Sequence, residues 1–365
     1  MTIVIFGLSV SSSWGNGHAT LWRGLCRALA RRGHRVTFFE RDVPYYSEHR
    51  DLWELPGGTL VLYENWAAVR RRAARSLSQA DAAIVTSYCA DAIKASECIL
   101  ASPALLRIFY DLDTPVTLNQ LRTGPVPYIG PNGLAHFDLV LSYTGGKALD
   151  ALKEDLGARR VAPLYGSVDG DVHRPAPPNE LFRSDLSYLG TYAQDRQESV
   201  ETFFVDPARR LPNLRFAIGG AQYPDTFPWA PNMFFFRHLV PAQHPEFYCS
   251  CRLTLNVTRR AMASMGYCPS GRLFEAASCG VPIVSDFWNG IEDFYRPGEE
   301  ILICRTPQDV VAAMSLGESD LGAIAARARQ RTLDCHTADH RAAELENILE
   351  RTLRASDVQR ETVGV

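Results

Sequence analysis

The sequence between residues 266 and 286 reads GYCPSGRLFEAASCGVPIVSD, and its turn-forming and capping residues predict a loop, a helix and a strand in that order. Ser270 is a favoured N-cap residue and Gly280 a favoured residue just after a helix, so we expect a helix near Ser270–Cys279. The apolar run Pro282–Ser285 follows directly. A helix that leads into a buried strand is the repeating unit of an α/β fold with parallel sheets.

The same alternation extends along the chain in both directions. The strands predicted before residue 166 are Thr2–Gly7, Arg35–Glu40, Thr59–Tyr63, Ala82–Thr86, Leu105–Tyr110, Phe137–Leu141 and Arg160–Pro163. Those predicted after it are Asp185–Leu189, Leu214–Ile218, Met233–Phe236, Leu253–Val257, Pro282–Ser285 and Glu300–Ile303. Besides Ser270–Cys279, the predicted helices are Ala19–Arg32, Gln194–Phe204, Pro307–Met314, Leu321–Leu333 and Ala338–Leu353.

The pattern breaks once, in a segment rich in Gly and Pro, which predicts two domains. Residues 1–165 form a first Rossmann-like domain, 166–179 a linker, and 180–335 a second Rossmann-like domain. Residues 336–365 form a C-terminal helix and tail. The fold class is α/β, with two facing Rossmann-like domains that close an active site between them.

Composition excludes several classes of protein. The 365 residues carry a net charge of −3, which gives no reason to expect a nucleic-acid partner. No apolar stretch reaches the roughly 20 residues of a membrane helix, and no signal peptide precedes the first strand. The nine cysteines are scattered, so we expect reduced thiols, no metal site and a cytoplasmic location. Oligomeric state is left open.

A glycine-rich turn, Gly15-Asn16-Gly17, precedes His18 at the start of the first predicted helix. Small residues there let a substrate approach the helix N-terminus, and we assign these three residues to the acceptor side. The near-neutral pKa of histidine suits His18 to act as a general base on a hydroxyl, although it could simply pack on the helix start. A dinucleotide fingerprint is a weaker interpretation because the glycines come too late after the strand.

The segment Tyr110-Asp111-Leu112-Asp113-Thr114-Pro115 ends another strand of the same sheet. Asp111, or otherwise Asp113, would orient His18 and stabilise its protonated form. A cap for the helix that begins near Pro115 is the competing interpretation for Asp113 or Thr114.

In the second half, Gly271 and Arg272 lie three or four residues before Glu275, which places them on one side of the helix. Backbone N–H groups near Ser270, together with Arg272, would hold a diphosphate, and Glu275 would accept hydrogen bonds from ribose hydroxyls. An ordinary surface Arg–Glu pair is the alternative.

These residues, with the stretches Leu255–Arg259 and Ser285–Gly290, resemble the donor-binding half of GT-B-fold glycosyltransferases. The nearest likeness is to the spore-maturation, CgeB-type group, and it extends more weakly over nearly the whole chain. The resemblance implies a sugar nucleotide held by the second domain, an acceptor held by the first, and a terminal helix that returns to the first.

By position, the resemblance makes Glu275 the ribose-binding glutamate, Gly190 the glycine near the diphosphate and Arg196 a phosphate-binding arginine. It places His238 and Leu239 where backbone groups hold the base. Retaining relatives have a further glutamate eight positions before the ribose-binding one, where this chain has Tyr267. We also count Arg259 among the donor-binding residues, although a surface charge is as good an interpretation.

The sequence thus predicts an enzyme that transfers a sugar from a UDP-, GDP- or dTDP-sugar to an acceptor hydroxyl, without cofactor or metal. Inversion with His18 as base is favoured because Tyr267 replaces the glutamate of retaining relatives. The alternatives are a nucleotide-sugar epimerase of the same fold and a non-catalytic nucleotide-sugar-binding protein. Donor sugar, base and acceptor are left open.

Overall fold

The computed structural model describes the backbone of residues 1–363 and the side chains of residues 1–355. The chain divides into two compact units. Unit 1 comprises Met1–Ser13, His18–Tyr165 and Ala338–Val365, and unit 2 comprises Trp14–Gly17 and Gly166–Thr337.

Unit 1 is built on a sheet of seven parallel strands in the order β3-β2-β1-β4-β5-β6-β7. Its strands are β1 (Thr2–Gly7), β2 (Arg35–Arg41), β3 (Gly58–Tyr63), β4 (Ala82–Thr86), β5 (Leu106–Asp111), β6 (Leu139–Ser142) and β7 (Val161–Pro163). The helices between them are α1 (His18–Arg31), α2 (Pro44–Ser47), α3 (Trp66–Leu77), α4 (Ala92–Leu100), α5 (Thr114–Leu121) and α6 (Lys147–Glu154). The central strands are buried along almost their whole length because helices cover the sheet.

Unit 2 repeats this plan with six parallel strands in the order β10-β9-β8-β11-β12-β13. They are β8 (Ser184–Leu189), β9 (Phe216–Gly219), β10 (Met233–Phe236), β11 (Cys251–Asn256), β12 (Ile283–Asp286) and β13 (Leu302–Cys304). The helices are α7 (Gln197–Val200), α8 (Asp206–Arg210), α9 (His244–Cys249), α10 (Arg260–Met265), α11 (Gly271–Ser278), α12 (Pro307–Met314) and α13 (Glu318–Cys335).

The fold class predicted from the sequence is confirmed, since both sheets are parallel and carry the order of Rossmann-like domains. Every predicted strand is present, and its ends differ by at most two residues. The predicted helix Gln194–Phe204 is less regular: α7 continues through a π-helical turn, Glu201–Val205, into α8. Pro207 in α8 has no N–H to donate, which accommodates the wider turn.

Two domain boundaries differ from the prediction. The segment 166–179 belongs to unit 2 instead of forming a linker, because its residues bond to that unit. For example, Ser278 donates to the carbonyl of His173. The glycine-rich stretch Trp14–Gly17 also groups with unit 2.

The last helix, α14 (Ala338–Val363), returns to unit 1 and packs against α1, as predicted. Its apolar residues Ala342, Leu345 and Leu349 are fully buried, and Arg31 of α1 donates to Asp339 at 2.8 Å. The side chains of the tail beyond residue 355 lie outside the described residues.

Candidate active site

In unit 2, the predicted donor-binding residue Gly190 follows one of three neighbouring strands, and Arg272 lies at the start of one helix near the same edge. Gly190 follows β8, Gly220 follows β9 and Val257 follows β11, and these strands are adjacent in the sheet. Because parallel strands end at the same edge, the residues meet there, where open α/β sheets bind ligands. The N-terminus of α11, at Gly271, contributes to the same edge through Arg272, which reaches β8 and β11.

Two glycines allow an unusually close approach of the backbone at this edge. A Cβ atom on Gly220 (φ +153°) would lie 2.0 Å from the carbonyl oxygen of Gly190, so only glycine fits. A Cβ atom on Gly190 would lie 2.9 Å from Nη2 of Arg272 and 2.9 Å from the hydroxyl of Tyr188. The bare Gly190 therefore keeps open the space beside the Arg272 guanidinium.

Arg272 is held in place by neutral acceptors. Its Nη1 donates to Oδ1 of Asn256 at 2.7 Å and its Nε to the carbonyl of Leu189, while the guanidinium lies 5.1 Å from the centre of the Tyr188 ring. Among the described residues Arg272 makes no ion pair. A half-buried guanidinium fixed by neutral groups keeps its full positive charge for a ligand.

The hydroxyl of Ser270 takes part in this arrangement instead of capping the helix. Ser270 occupies the N-cap position of α11, but its Oγ donates to Oδ1 of Asn256 at 2.7 Å and makes no capping hydrogen bond. The expectation of a capping hydroxyl was wrong, because Asn256 offers a competing acceptor. Ser270 and Arg272 together fix the Asn256 amide.

Arg196 lies near the same edge and donates to the carbonyl of Thr191. The Tyr223 hydroxyl donates to the carbonyl of Gly190 at 3.0 Å. Burial and the neighbouring Tyr188 raise the pKa of Tyr223 well above its usual value, while Arg196 and Arg272 act in the opposite direction. Both guanidinium groups therefore act on the Tyr223 hydroxyl, which is bonded to the Gly190 carbonyl.

Arg259 is already paired, since its Nε donates to a carboxylate oxygen of Asp195 at 2.9 Å. The loop before it is fixed by Asp286, which accepts from the backbone N–H of Thr258 at 3.1 Å. Burial raises the pKa of Asp286 to about 6. Arg259 is thus positioned near the helical turn of Arg196, with part of its charge compensated.

Glu275 points in a different direction from Arg272, although the two are three residues apart. Its side chain is 12% exposed, with Oε1 lying 3.8 Å from Nε2 of His173 and Oε2 lying 3.9 Å from Nδ1 of His244. Gly271 faces the same carboxylate, since a Cβ atom on Gly271 would lie 4.0 Å from Oε1 of Glu275. No sequence pattern connects these histidines with Glu275, because His173 lies in the stretch predicted to be a linker.

His238 and Leu239 follow β10 in unit 2. The ring of His238 lies 4.8 Å from that of Trp14, centre to centre, and Leu239 is buried against Gly219. The carbonyl of Leu239 accepts a hydrogen bond from Nε2 of His244 at 3.2 Å. This links the predicted base-binding segment to the surroundings of Glu275.

In unit 1, His18 begins α1 and lies half-buried, its ring facing that of Tyr88 at 6.3 Å between centres. Tyr88 has a left-handed backbone conformation (φ +62°), which a residue with a large side chain rarely adopts. Such strain is concentrated at functional sites. His18 and Tyr88 are therefore placed together at the carboxyl ends of the first sheet's strands.

Asp111 does not orient His18, contrary to the first choice made from the sequence. Its side chain is completely buried and its Oδ1 accepts from the N–H of Asp113 at 3.1 Å and from Thr117 at 3.0 Å. Burial raises the pKa of Asp111 to about 6. Asp113 is the N-cap residue of α5 without a capping side-chain bond, and the assignment to it stays a prediction.

Glu40 at the end of β2 has a structural role instead of the ribose contact of a dinucleotide-binding fold. Its carboxylate accepts from the N–H groups of Val10 and Ser11 at 2.7 and 2.9 Å, and from the hydroxyls of Ser9 and Ser11. These bonds fix the loop that leads to Gly15, Asn16 and Gly17. Those three residues group with unit 2, and their assignment to the acceptor side stays a prediction.

Comparison with known proteins agrees with this architecture. Residues 196–347 match a family described as glycosyl transferase-like, which covers most of unit 2 and the start of α14. Most of the second unit is thus similar to this family. No curated protein matches the sequence significantly.

Solved glycosyltransferase structures share the fold of the whole chain. An alpha-glucosyltransferase in complex with UDP has a TM-score of 0.69 at 12% identity, with 96% of this chain and 100% of that chain covered. HepE of Anabaena in complex with UDP-glucose has a TM-score of 0.68 at 12% identity, with 96% and 100% covered. Sucrose-phosphate synthase of Thermosynechococcus elongatus has a TM-score of 0.63 at 12% identity, with 97% and 100% covered.

The predicted GT-B fold and the glycosyltransferase class are therefore confirmed, and the assignment to the CgeB-type group stays a prediction. Within the part of the chain that the structure describes, no helix is both long and apolar enough to cross a membrane.

Proposed function

We propose that this chain transfers a sugar from a nucleoside diphosphate sugar to an acceptor hydroxyl, with the donor bound by unit 2. The observation that carries the proposal is the Arg272 guanidinium, which is fixed by neutral acceptors beside the bare Gly190. A preorganised cation of this kind suits a diphosphate, and Arg196, which donates to the carbonyl of Thr191 directly after Gly190, would add a second positive charge.

In the proposed reaction, the acceptor oxygen bonds to the anomeric carbon while the bond from that carbon to the phosphate oxygen breaks. Negative charge develops on the departing diphosphate, and Arg272, Arg196 and the N-terminus of α11 oppose it where it develops. Glu275 accepts hydrogen bonds from the ribose hydroxyls. His18 takes the acceptor proton, a contribution of about 10²–10⁴-fold in rate.

Inversion of the anomeric centre is the outcome we propose, because Tyr267 stands where retaining relatives have a carboxylate. The backbone of Tyr267 is left-handed (φ +48°), and its N–H donates to the carbonyl of Asn289 at 2.7 Å. Its ring packs against Gly290, where a Cβ would approach it to 2.6 Å. An aromatic side chain fixed in this way provides no carboxylate to a retaining mechanism.

The test is a panel of UDP-, GDP- and dTDP-sugars, incubated with the chain and mixed hydroxyl acceptors. UDP-glucose comes first, because structures of HepE and the alpha-glucosyltransferase contain UDP-glucose or UDP. Acceptor-dependent release of nucleotide supports transfer. Interconversion of sugars without acceptor would indicate an epimerase instead, and binding without turnover a non-catalytic protein. The anomeric configuration of the product, read by NMR, decides between inversion and retention.

His18→Ala tests the proposed base. We expect donor binding close to that of the wild type and transfer lowered at least about 100-fold, which is the lower end of the effect of a general base. The matched control is His136→Gln, an exposed histidine of the same unit, which should transfer normally. Unreduced transfer by His18→Ala would refute the assignment.

A further inference from the structure

Two cysteine side chains meet where two helices of unit 2 end. Cys249 is the last residue of α9, and Cys279 directly follows α11. Sγ of Cys249 lies 3.4 Å from the carbonyl oxygen of Cys279, and the two thiols are hydrogen-bonded to each other. Both cysteines are reduced. The pair has no part in the proposed reaction, yet it places two oxidisable sulfur atoms side by side.

The surroundings of Cys249 favour its reactive form, the thiolate. The backbone N–H of Ala176 donates to Sγ at 3.3 Å. The hydrogen bond with the Cys279 thiol lowers the pKa of Cys249 to about 7, and the Ala176 N–H acts in the same direction, although burial opposes both. A thiol whose pKa lies near the ambient pH combines a large thiolate fraction with good nucleophilicity.

The two cysteines differ in access and in proton affinity, and this difference sets the order in which they react. Cys249 is partly exposed, whereas Cys279 is buried, so a small molecule reaches Cys249 first. The hydrogen bond with Cys249 raises the pKa of Cys279, and burial adds to the effect. Once the Cys249 sulfur is bonded to another sulfur it carries no negative charge, and Cys279 then loses its proton more readily.

Cys251 is the nearest competitor for Cys249, but its sulfur is engaged elsewhere. It donates to the carbonyl of Tyr248 at 3.0 Å and accepts from the hydroxyl of Ser187 at 3.1 Å. Burial raises the pKa of Cys251 to about 12, so it stays a thiol at neutral pH. Cys279 is therefore the partner that the structure offers to an oxidised Cys249.

We propose that Cys249 is a redox modification site, which reacts with a low-molecular-weight disulfide and then forms an intramolecular disulfide with Cys279. In the first step the Cys249 thiolate attacks one sulfur of the reagent, and the other half leaves as a thiolate. In the second step the Cys279 sulfur attacks the Cys249 sulfur, and the second half of the reagent leaves. Two electrons pass from the chain to the reagent, and the proton of Cys279 ends on a released thiol.

The new bond joins the ends of α9 and α11, which are about 30 residues apart in the sequence. A covalent link across a loop of this length restricts the unfolded chain and so stabilises the folded one. We therefore expect the melting temperature of the oxidised chain to rise by about 5 °C. The effect is reversible, because a dithiol reductant opens the disulfide again.

Oxidised glutathione is the probe, added to the full chain at neutral pH. Remaining thiols are blocked with N-ethylmaleimide before the chain is unfolded, and the linked peptides are identified by mass spectrometry. We expect a Cys249–Cys279 link that dithiothreitol removes, together with the rise in melting temperature. No sugar donor or acceptor enters this experiment, so its outcome is independent of the proposed function.

Single variants separate the two steps. Cys279→Ser should stop after the first step and retain one glutathione on Cys249, while Cys249→Ser should form no link and show no rise in melting temperature. Cys335→Ser, which removes an exposed cysteine of the same unit, is the matched control and should form the link as the wild type does. An unmodified Cys249, a link from Cys249 to Cys251, glutathione retained on Cys249 in the wild type, or an unchanged melting temperature would overturn the inference.

Discussion

Replacing Arg272 by glutamine tests the donor site most directly. Two of the arginine's nitrogens are engaged by the protein, Nε with the Leu189 carbonyl and Nη1 with Asn256, while Nη2 lies beside Gly190. We therefore expect Nη2 to make the charge-assisted hydrogen bond to the diphosphate. Such a bond contributes about 1.5–3 kcal/mol. The loss predicts an affinity for UDP that is lower by roughly 10- to 150-fold.

The nucleoside alone provides the internal comparison. Uridine has no phosphate, so Arg272→Gln should bind it as the wild type does, and the difference between the two ligands isolates the phosphate contact. Isothermal titration of UDP and uridine gives both affinities. Arg183→Gln is the matched control, since Arg183 is an exposed arginine of the same unit, paired with Glu180. An equal loss for uridine and UDP, or no loss for UDP, would refute the phosphate role of Arg272.

Three further predictions follow from individual residues. Glu275→Gln should weaken UDP binding about tenfold, because a neutral amide accepts hydrogen bonds from the ribose less strongly. The variant and the wild type should bind 2′-deoxy-UDP with similar affinities, because this ligand lacks the 2′-hydroxyl. Equal discrimination against the deoxy ligand by both proteins would contradict the ribose contact. Gly220→Ala should lower the free energy of unfolding by about 3 kcal/mol or more, since its Cβ would collide with Gly190, whereas Gly298→Ala, with a positive φ but open space, should cost only about 1 kcal/mol in urea titrations. Burial raises the pKa of Asp111 to about 6, so between about pH 4 and pH 6 the folded state holds a proton that the unfolded state releases. The free energy of unfolding should therefore decrease as the pH is raised from about 4 to about 6. Asp111→Asn should flatten that part of the profile in thermal melts, and an unchanged profile would contradict the assignment.

The strands could be predicted because each is a compact apolar run bounded by turn residues, and the tertiary fold buries those same runs. Met233–Phe236 and Ala82–Thr86 occur as predicted, to the residue. The ends of α11 were predictable for a similar reason, since Ser270 and Gly280 stop the helix at either side. These features depend on residues that are close together in the sequence, so they can be predicted from the sequence alone.

Burial and distant partners were not predictable in the same way. Asp111 and Asp113 are two residues apart with identical side chains, and only the sheet decides that Asp111 is enclosed. His173 lies about a hundred residues before Glu275, in a segment whose composition is typical of linkers. The one weak signal was that this polar segment contains a histidine and an aspartate, His173 and Asp169, both of which the fold buries.

In the proposed function, the two side chains of the short helix α11 serve different ends of a nucleotide. Arg272 turns towards β8 and β11, where Gly190 leaves room for a phosphate, whereas Glu275 turns towards His173 and His244. Three residues of helix separate the two α-carbons by about 4.5 Å along the axis, and the divergent side chains widen that distance. Had the two groups met as an ordinary surface ion pair, each would have neutralised the other. Because the fold turns them apart, Arg272 towards neutral acceptors and Glu275 towards His173 and His244, the two groups do not neutralise each other and can meet different ends of one ligand.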